Sequence, residues 1–173
     1  MTKKQWIDGD GNLWNGSSVV IGETRVINPT DEQMLEAGYT EYTAPEPTDA
    51  QRLGQARQKK LAELSAYDQS DAVDGFSIGG VTMWLTVSER QQIATQIAAS
   101  EAVGRTEMTR WFGGHAFTFP LATWQQMLVA LEVYAGDALN VTEQHRAAIS
   151  ALGTAAEVEG YDFTIGYPDK LAF

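Results

Sequence analysis

Apolar positions along this chain recur with two periods, and the switches between them mark out its elements. Between Phe76 and Ala135 one phrase occurs twice, thirty-four residues apart. The first copy has Gly79-Gly80, an apolar strand-like run, then Gln91-Gln92-Ile93; the second has Gly113-Gly114, another such run, then Gln125-Gln126-Met127. Leu85 falls on Phe119, Ile93 on Met127 and Ile97 on Leu131. Before and after each Gly-Gly pair the apolar residues alternate, as Phe76/Ile78 and Val81/Met83/Leu85 do, which is the strand period. A two-residue Gly-Gly loop allows the positive φ angles of a type I′ hairpin turn. Each copy therefore predicts two short strands followed by a helix, a ββα unit, over 76–104 and 108–136. One antiparallel four-stranded sheet is the expected arrangement, because isolated hairpins are marginal.

The helical period appears in three other places. Ala50, Leu53, Leu61 and Leu64 predict a helix from Asp49 to about Tyr67, its stripe interrupted by Arg57; Arg52, Lys59, Lys60 and Glu63 are assigned to the opposite face. Trp124, Met127, Leu128, Leu131 and Tyr134 predict a helix that Gly136 closes. His145, Ala148, Ile149 and Leu152 predict a separate one from about Asn140 or Val141 to Gly153. Helix starts are signalled by Thr with Gln or Glu three residues on: Thr30/Gln33, Thr48/Gln51, Thr86/Glu89 and Thr154/Glu157 are all capping boxes by pattern. Pro120 suits a helix start.

The first 44 residues read differently. Trp6-Ile7, Leu13-Trp14, Val19-Val20-Ile21 and Arg25-Val26-Ile27 are β-prone, with Gly- and Asn-rich turns between them. A short helix after Thr30 and a strand at Tyr39–Tyr42 follow. Pro45 and Pro47 make residues 45–48 a linker. The expected fold is α+β: a small β-rich attachment module over 1–44, then a domain over 49–173 in which two antiparallel hairpins pack with about four helices. The tail from Tyr161 to Phe173 is irregular but aromatic, and is expected to dock on the sheet or on a neighbouring subunit.

Composition narrows the chemistry. There is no cysteine among the 173 residues, which removes thiolate catalysis, cysteine zinc sites and disulfides. The net charge of -11 argues against nonspecific nucleic-acid binding. No apolar run reaches the length of a membrane span, and the start lacks the apolar core of a secretory signal. Asp8, Asp10 and Asn12 invite a calcium reading, but Leu13 and Val19 stand where an EF-hand loop needs Gly and Glu, so a hairpin loop is expected. His115 and His145 lack metal-ligand spacing. No nucleophile elbow or phosphate-binding glycine loop is present. Catalytic residues, cofactor and metal are all expected to be none.

Two surfaces remain. Paired carboxylates for glycoside chemistry would come from Asp68, Asp71 and Asp74 near Trp84, or Glu107 near Trp111. Trp84 and Trp111 alternate away from the apolar faces of their strands, so both are expected on one open sheet face. With Tyr161, Phe163, Tyr167 and Phe173 of the tail, they form the candidate partner surface.

Several phrases together resemble an uncharacterised domain family of tailed bacteriophages and of Bacteroides-associated, crAss-like phages and prophages. They are Leu61 to Asp68 with Ser70, Val73-Asp74-Gly75-Phe76, Met83-Trp84-Leu85, Arg90 with Ile93, Trp111 with Phe112, Tyr134-Ala135, Thr142 with His145 and Ile149, and Tyr161 to Pro168. The resemblance runs from about Ala56 to Phe173. Residues Asn28 to Glu32 and Ala37-Gly38-Tyr39 look like the short N-terminal modules of phage fibre and tail proteins. The resemblance implies a structural virion protein (a head-fibre, tail-fibre or adaptor component) that is made in the bacterial host cytoplasm and is not an enzyme. Its implied partners are other virion proteins of the capsid or tail and further copies of itself, with a host surface glycan or receptor as another; nucleic acid and membrane are not among them. A fibre-assembly chaperone and a carbohydrate-binding or carbohydrate-cleaving virion protein are the alternatives.

Overall fold

The computed structural model describes residues 4–173, and the chain divides into two units, Met1–Pro47 and Thr48–Phe173. The fold is α+β, as expected.

In the first unit the β-prone runs form β1 (Trp6–Ile7), β2 (Ser18–Ile21) and β3 (Thr24–Ile27). They are followed by helix α1 (Asp31–Glu36) and β4 (Thr40–Glu41). β2 and β3 make one antiparallel hairpin, and β4 returns to pair with β1. Trp6, Val19 and Met34 are its buried core. The acidic turn is a closed loop: the Asp8 carboxylate accepts the backbone N–H groups of Asp10 and Asn12 and the Asn12 side-chain amide. Those bonds hold its pKa below the ordinary aspartate value.

The second unit runs α2 (Asp49–Asp68), β5 (Phe76–Ile78), β6 (Val81–Met83) and α3 (Val87–Ala102), then β7 (Glu107–Phe112), β8 (His115–Pro120), α4 (Leu121–Ala151) and α5 (Ala155–Glu159). The internal repeat is structural as well as textual. Phe76 pairs with Met83 and Ile78 with Val81; shifted by the repeat, Arg110 pairs with Phe117 and Phe112 with His115. Gly79 and Gly80 have φ of 54° and 84°, and Gly113 and Gly114 have 55° and 84°. A side chain at any of the four would be strained, which is why the turn demands glycine twice in each copy. Ile93 and Ile97 of α3 lie in one buried cluster with their counterparts Met127 and Leu131 of α4, beneath Phe76, Ile78, Met108 and Trp124. The indole N–H of Trp124 donates to the Met108 carbonyl at 3.1 Å, so the largest core side chain leaves no unpaired polar atom.

Four sequence expectations need correction. The two hairpins do not make one sheet: each is a separate two-stranded ribbon. The edge of β5 is taken instead by the chain's own end. Ser77 N–H donates to the Leu171 carbonyl, Phe173 N–H to Ser77 and Gly79 N–H to Phe173, with Ala172 in a parallel bridge to Ser77. Nor does Gly136 end a helix, since α4 continues for 31 residues from Leu121 to Ala151. Buried Leu131, Tyr134, Ala138, Thr142, His145 and Ile149 keep three- and four-residue spacing through it. That continuous apolar face outweighs the ~1 kcal/mol a helical glycine costs. Third, Lys60 is not on a solvent face. Its ammonium donates to the carbonyls of Glu159 and Tyr161, capping the C-terminal end of α5. Fourth, Arg57 belongs to the α2 stripe rather than interrupting it: its guanidinium donates to the Leu152 carbonyl at 2.6 Å, at the end of α4.

Candidate interaction site

All four Thr capping boxes form, each with the Thr hydroxyl accepting and the Gln or Glu side chain returning to the cap backbone N–H. The box at Thr86 matters most for the site. It fixes where α3 begins, and so aims Val87 and Arg90 into a cleft of about 370 Å³. The end of α2 contributes Asp68, the following loop Val73 and Asp74, and the segment after β6 Trp84. The middle of α4 supplies Glu132, Ala135, Gly136, Ala138 and Leu139. Small residues on α4 leave the floor open; a Cβ at Gly136 would meet nothing within 4 Å.

The cleft's polar groups are not equivalent. Arg90 is buried and fully engaged. Its Nε donates to Glu132 Oε1 at 2.8 Å, its Nη1 to the Leu85 carbonyl, and its guanidinium carbon stands 5.6 Å from the centre of the Trp84 ring. Glu132, more than half exposed, is thereby neutralised at the rim. Asp68 Oδ1 accepts the Thr142 hydroxyl at 2.6 Å, and the Thr142 oxygen also pairs with the Tyr167 hydroxyl at 2.9 Å. Burial raises the pKa of Asp74, and the charge of Asp68 raises it further, against a smaller opposing pull from Lys170 and Arg90. Lys170 donates its ammonium to the Val73 carbonyl at 2.7 Å, and burial pushes its pKa down. Tyr134 donates to the same carbonyl at 2.8 Å from beneath.

The predicted partner residues are dispersed. Trp84 is half-buried, edge-on to Phe76 and Tyr134, and forms a wall of the cleft. Trp111 is 69% exposed on β7, opposite Ala116. The two tryptophans therefore share no open sheet face, because β5–β6 and β7–β8 are separate ribbons. The tail aromatics are mostly spent within the unit. Tyr161 hydrogen-bonds His145 Nδ1 at 2.8 Å, while Phe163 and Tyr167 both pack edge-on against Tyr67. Phe173 lies edge-on to Phe76 and is 39% exposed. His145 is buried, with Nε2 donating to the Ile165 carbonyl and Nδ1 paired with the Tyr161 hydroxyl; this histidine straps the tail to α4.

Of the carboxylates weighed for glycoside chemistry, Asp68 and Asp74 do meet at Trp84. Asp71 and Glu107 are exposed and do not line the cleft. Sequence reasoning missed Glu132, which reaches the cleft through the packing of α3 on α4, and Leu139, whose placement depends on α4 running through Gly136. Among the described residues, no group of three His, Asp or Glu side chains is placed to hold a metal ion.

A second surface adjoins the cleft and shares Arg90 and Glu132 with it. It is a shallow groove of about 310 Å³ between α3 and α4, lined also by Gln91, Ala94, Leu128, Val129 and Val133. Val129 and Val133 are 65% and 60% exposed.

Residues 55–165, which hold the cleft, the groove and both hairpins, match the family described as a domain of unknown function, DUF4376. The chain belongs to the DUF4376 family. No curated protein and no solved structure matches it. The DUF4376 match begins within α2 and ends at Ile165, so it takes in His145 and Tyr161, while the tail segment Leu171–Phe173 that bridges to Ser77 lies beyond it. Nothing in the family's description assigns chemistry to these residues.

Proposed function

We propose that this DUF4376 protein is a structural, virion-associated component of a bacteriophage, of the head-fibre, tail-fibre or adaptor kind, acting through protein–protein contacts rather than catalysis. The phrase-level resemblance to phage domains supports the origin. The observation that carries the contact role is the apolar face of α3 and α4. Val129 and Val133 of α4 are more than half exposed and line the groove together with Ala94 and Leu128. Exposed apolar side chains scattered singly need no explanation, but a run of them beside an apolar groove is the mark of a contact surface. The occupant we assign to the groove is a second copy of this chain, α4 against α4, in keeping with a fibre built from repeated subunits. On this reading the N-terminal unit attaches to the particle or to another virion protein.

Two measurements test it. Mass spectrometry of purified particles should find the protein as a stoichiometric component; its absence there, with recovery on a nascent fibre, would replace this role with that of an assembly chaperone. Light scattering should find an oligomer for the wild-type chain and a monomer for Val133→Glu. A wild-type chain that stays monomeric at high concentration removes the self-association.

A further inference from the structure

The cleft at Trp84 is lined by more carboxylates than cations: Asp68, Asp74 and Glu132 against Arg90. Arg90 is spent on Glu132 and Leu85, while Lys170 donates to the Val73 carbonyl and keeps its charge, which pulls on Asp74 without bonding it. Asp68 has one oxygen on Thr142, while the Asp74 carboxylate accepts no hydrogen bond from any described residue. Two carboxylates thus face one partly desolvated space with no cation bonded to either. The remaining lining is apolar or aromatic: Trp84, Val87, Ala138 and Leu139. Like charges brought together out of water repel, and the arrangement is relieved when a cation enters. A metal ion is a poorer match, since among the described residues no group of three His, Asp or Glu side chains is placed to hold one. An organic cation on an aliphatic stem matches both halves of the lining. Its charged head meets Asp68 and Asp74, and its methylenes lie along Trp84 and Leu139, as amphipathic basic side chains do elsewhere. The space of about 370 Å³ is large enough for such a group with its flanking atoms.

We propose that the cleft between the end of α2, Trp84 and the middle of α4 is a receptor for an alkylammonium or guanidinium group. That group belongs either to a lysine or arginine side chain of a partner polypeptide or to a free polyamine. Asp74 and Asp68 receive the charge, Trp84 and Leu139 line the stem, and Gly136 leaves the floor open. Arg90 acts as a positioning residue: it holds the Trp84 ring and takes Glu132 out of competition. The inference does not depend on the virion reading, which stands or falls on particle composition and light scattering.

The test is a nuclear magnetic resonance titration of the full chain with two probes. One is spermidine; the other is a capped pentapeptide of four alanines around one central arginine, with the all-alanine peptide as control. The expected result is saturable shifts confined to the amides around Asp74, Trp84 and Gly136, with none from the control. Tighter binding of the arginine peptide identifies a polypeptide source, and binding of spermidine at least as tight identifies a small amine. Asp74→Asn should weaken binding at least about tenfold, as loss of a charge-assisted contact does. Gly136→Leu should do the same with both charges intact, by filling a position where a side chain meets no neighbour and the helix accepts it. Glu36→Gln, an exposed acid in the first unit, should bind as wild type. If neither probe gives saturable shifts at low millimolar concentration, the cleft is not such a receptor. Equal binding by wild type and both cleft variants would show only diffuse attraction to a chain of net charge -11, and would equally overturn the proposal.

Discussion

At the scale of single residues, Asp74 carries the clearest consequence. Its pKa is raised from the ordinary 3.8, first by burial and then by Asp68. An acid whose folded pKa lies above its unfolded value binds its proton more tightly in the folded state. Folding therefore gains from Asp74 at low pH, and the gain disappears as pH rises through the folded pKa. At neutral pH the ionised group is a net cost. Asp74→Asn should raise the melting temperature at pH 7, and the advantage over wild type should shrink as pH falls toward 3.8, the unfolded value. Thermal melts of both chains from pH 3 to pH 7 check this, and a variant less stable at pH 7 would show that the carboxylate has a stabilising partner. Other residue roles differ in how far they can be read ahead. The Thr capping boxes were legible because cap and partner sit three positions apart in the chain. Arg57, Lys60 and His145 were not: their acceptors are Leu152, Glu159 and Ile165, and periodicity assigns a residue to a helix face without saying which carbonyl lies across from it.

At the scale of elements, α4 gives a test whose sign decides between two structures. Had Gly136 closed a helix, it would sit in the left-handed region, where alanine is strained. Instead it lies mid-helix, outside the positive-φ glycines, with open space at its Cβ position. Gly136→Ala should then stabilise the protein by about 0.5–1 kcal/mol through helix propensity, seen as a higher denaturation midpoint in urea. A destabilised variant would restore the two-helix reading. The misreading has a physical origin. Glycine is a strong local stop signal, yet six buried positions of α4 continue past or up to it in phase, and tertiary burial prevails over local propensity. The separate hairpins have a similar explanation. The repeat made two ribbons legible, but the partner for the β5 edge was the tail at Leu171–Phe173, nearly a hundred residues away in the chain and without strand alternation of its own. The candidate site was half legible for the same reason. Asp68, Asp74 and Trp84 are near one another in sequence, whereas Glu132 and Leu139 reach them only through the packing of α3 and α4.

At the scale of the whole molecule, the two units differ in how much core each owns. Thr48–Phe173 has three buried clusters, one of them running from Phe76 through Trp124 to Leu131. Its chain end is tied down by backbone bonds to β5 and by the His145 strap. Met1–Pro47 buries Trp6, Val19 and Met34, with Trp14, Ile21, Val26, Ala37 and Tyr39 packed on them. Its two sheets have two strands each, and it has no cysteine to staple them. Chains near this size bury only ~60% of their unfolded surface or less, and two-stranded ribbons are marginal alone. The expectation is therefore asymmetric. Residues 48–173 expressed alone should keep the helical circular-dichroism signal and unfold in one cooperative transition. Residues 1–47 expressed alone should show a broad, non-cooperative melt and weak near-ultraviolet signal from Trp6 and Trp14. A cooperative transition from the short fragment would mean that its eight-residue apolar cluster suffices. Loss of cooperativity in the long fragment would mean that the clusters around Trp124 and Ile149 do not stand without residues before Thr48.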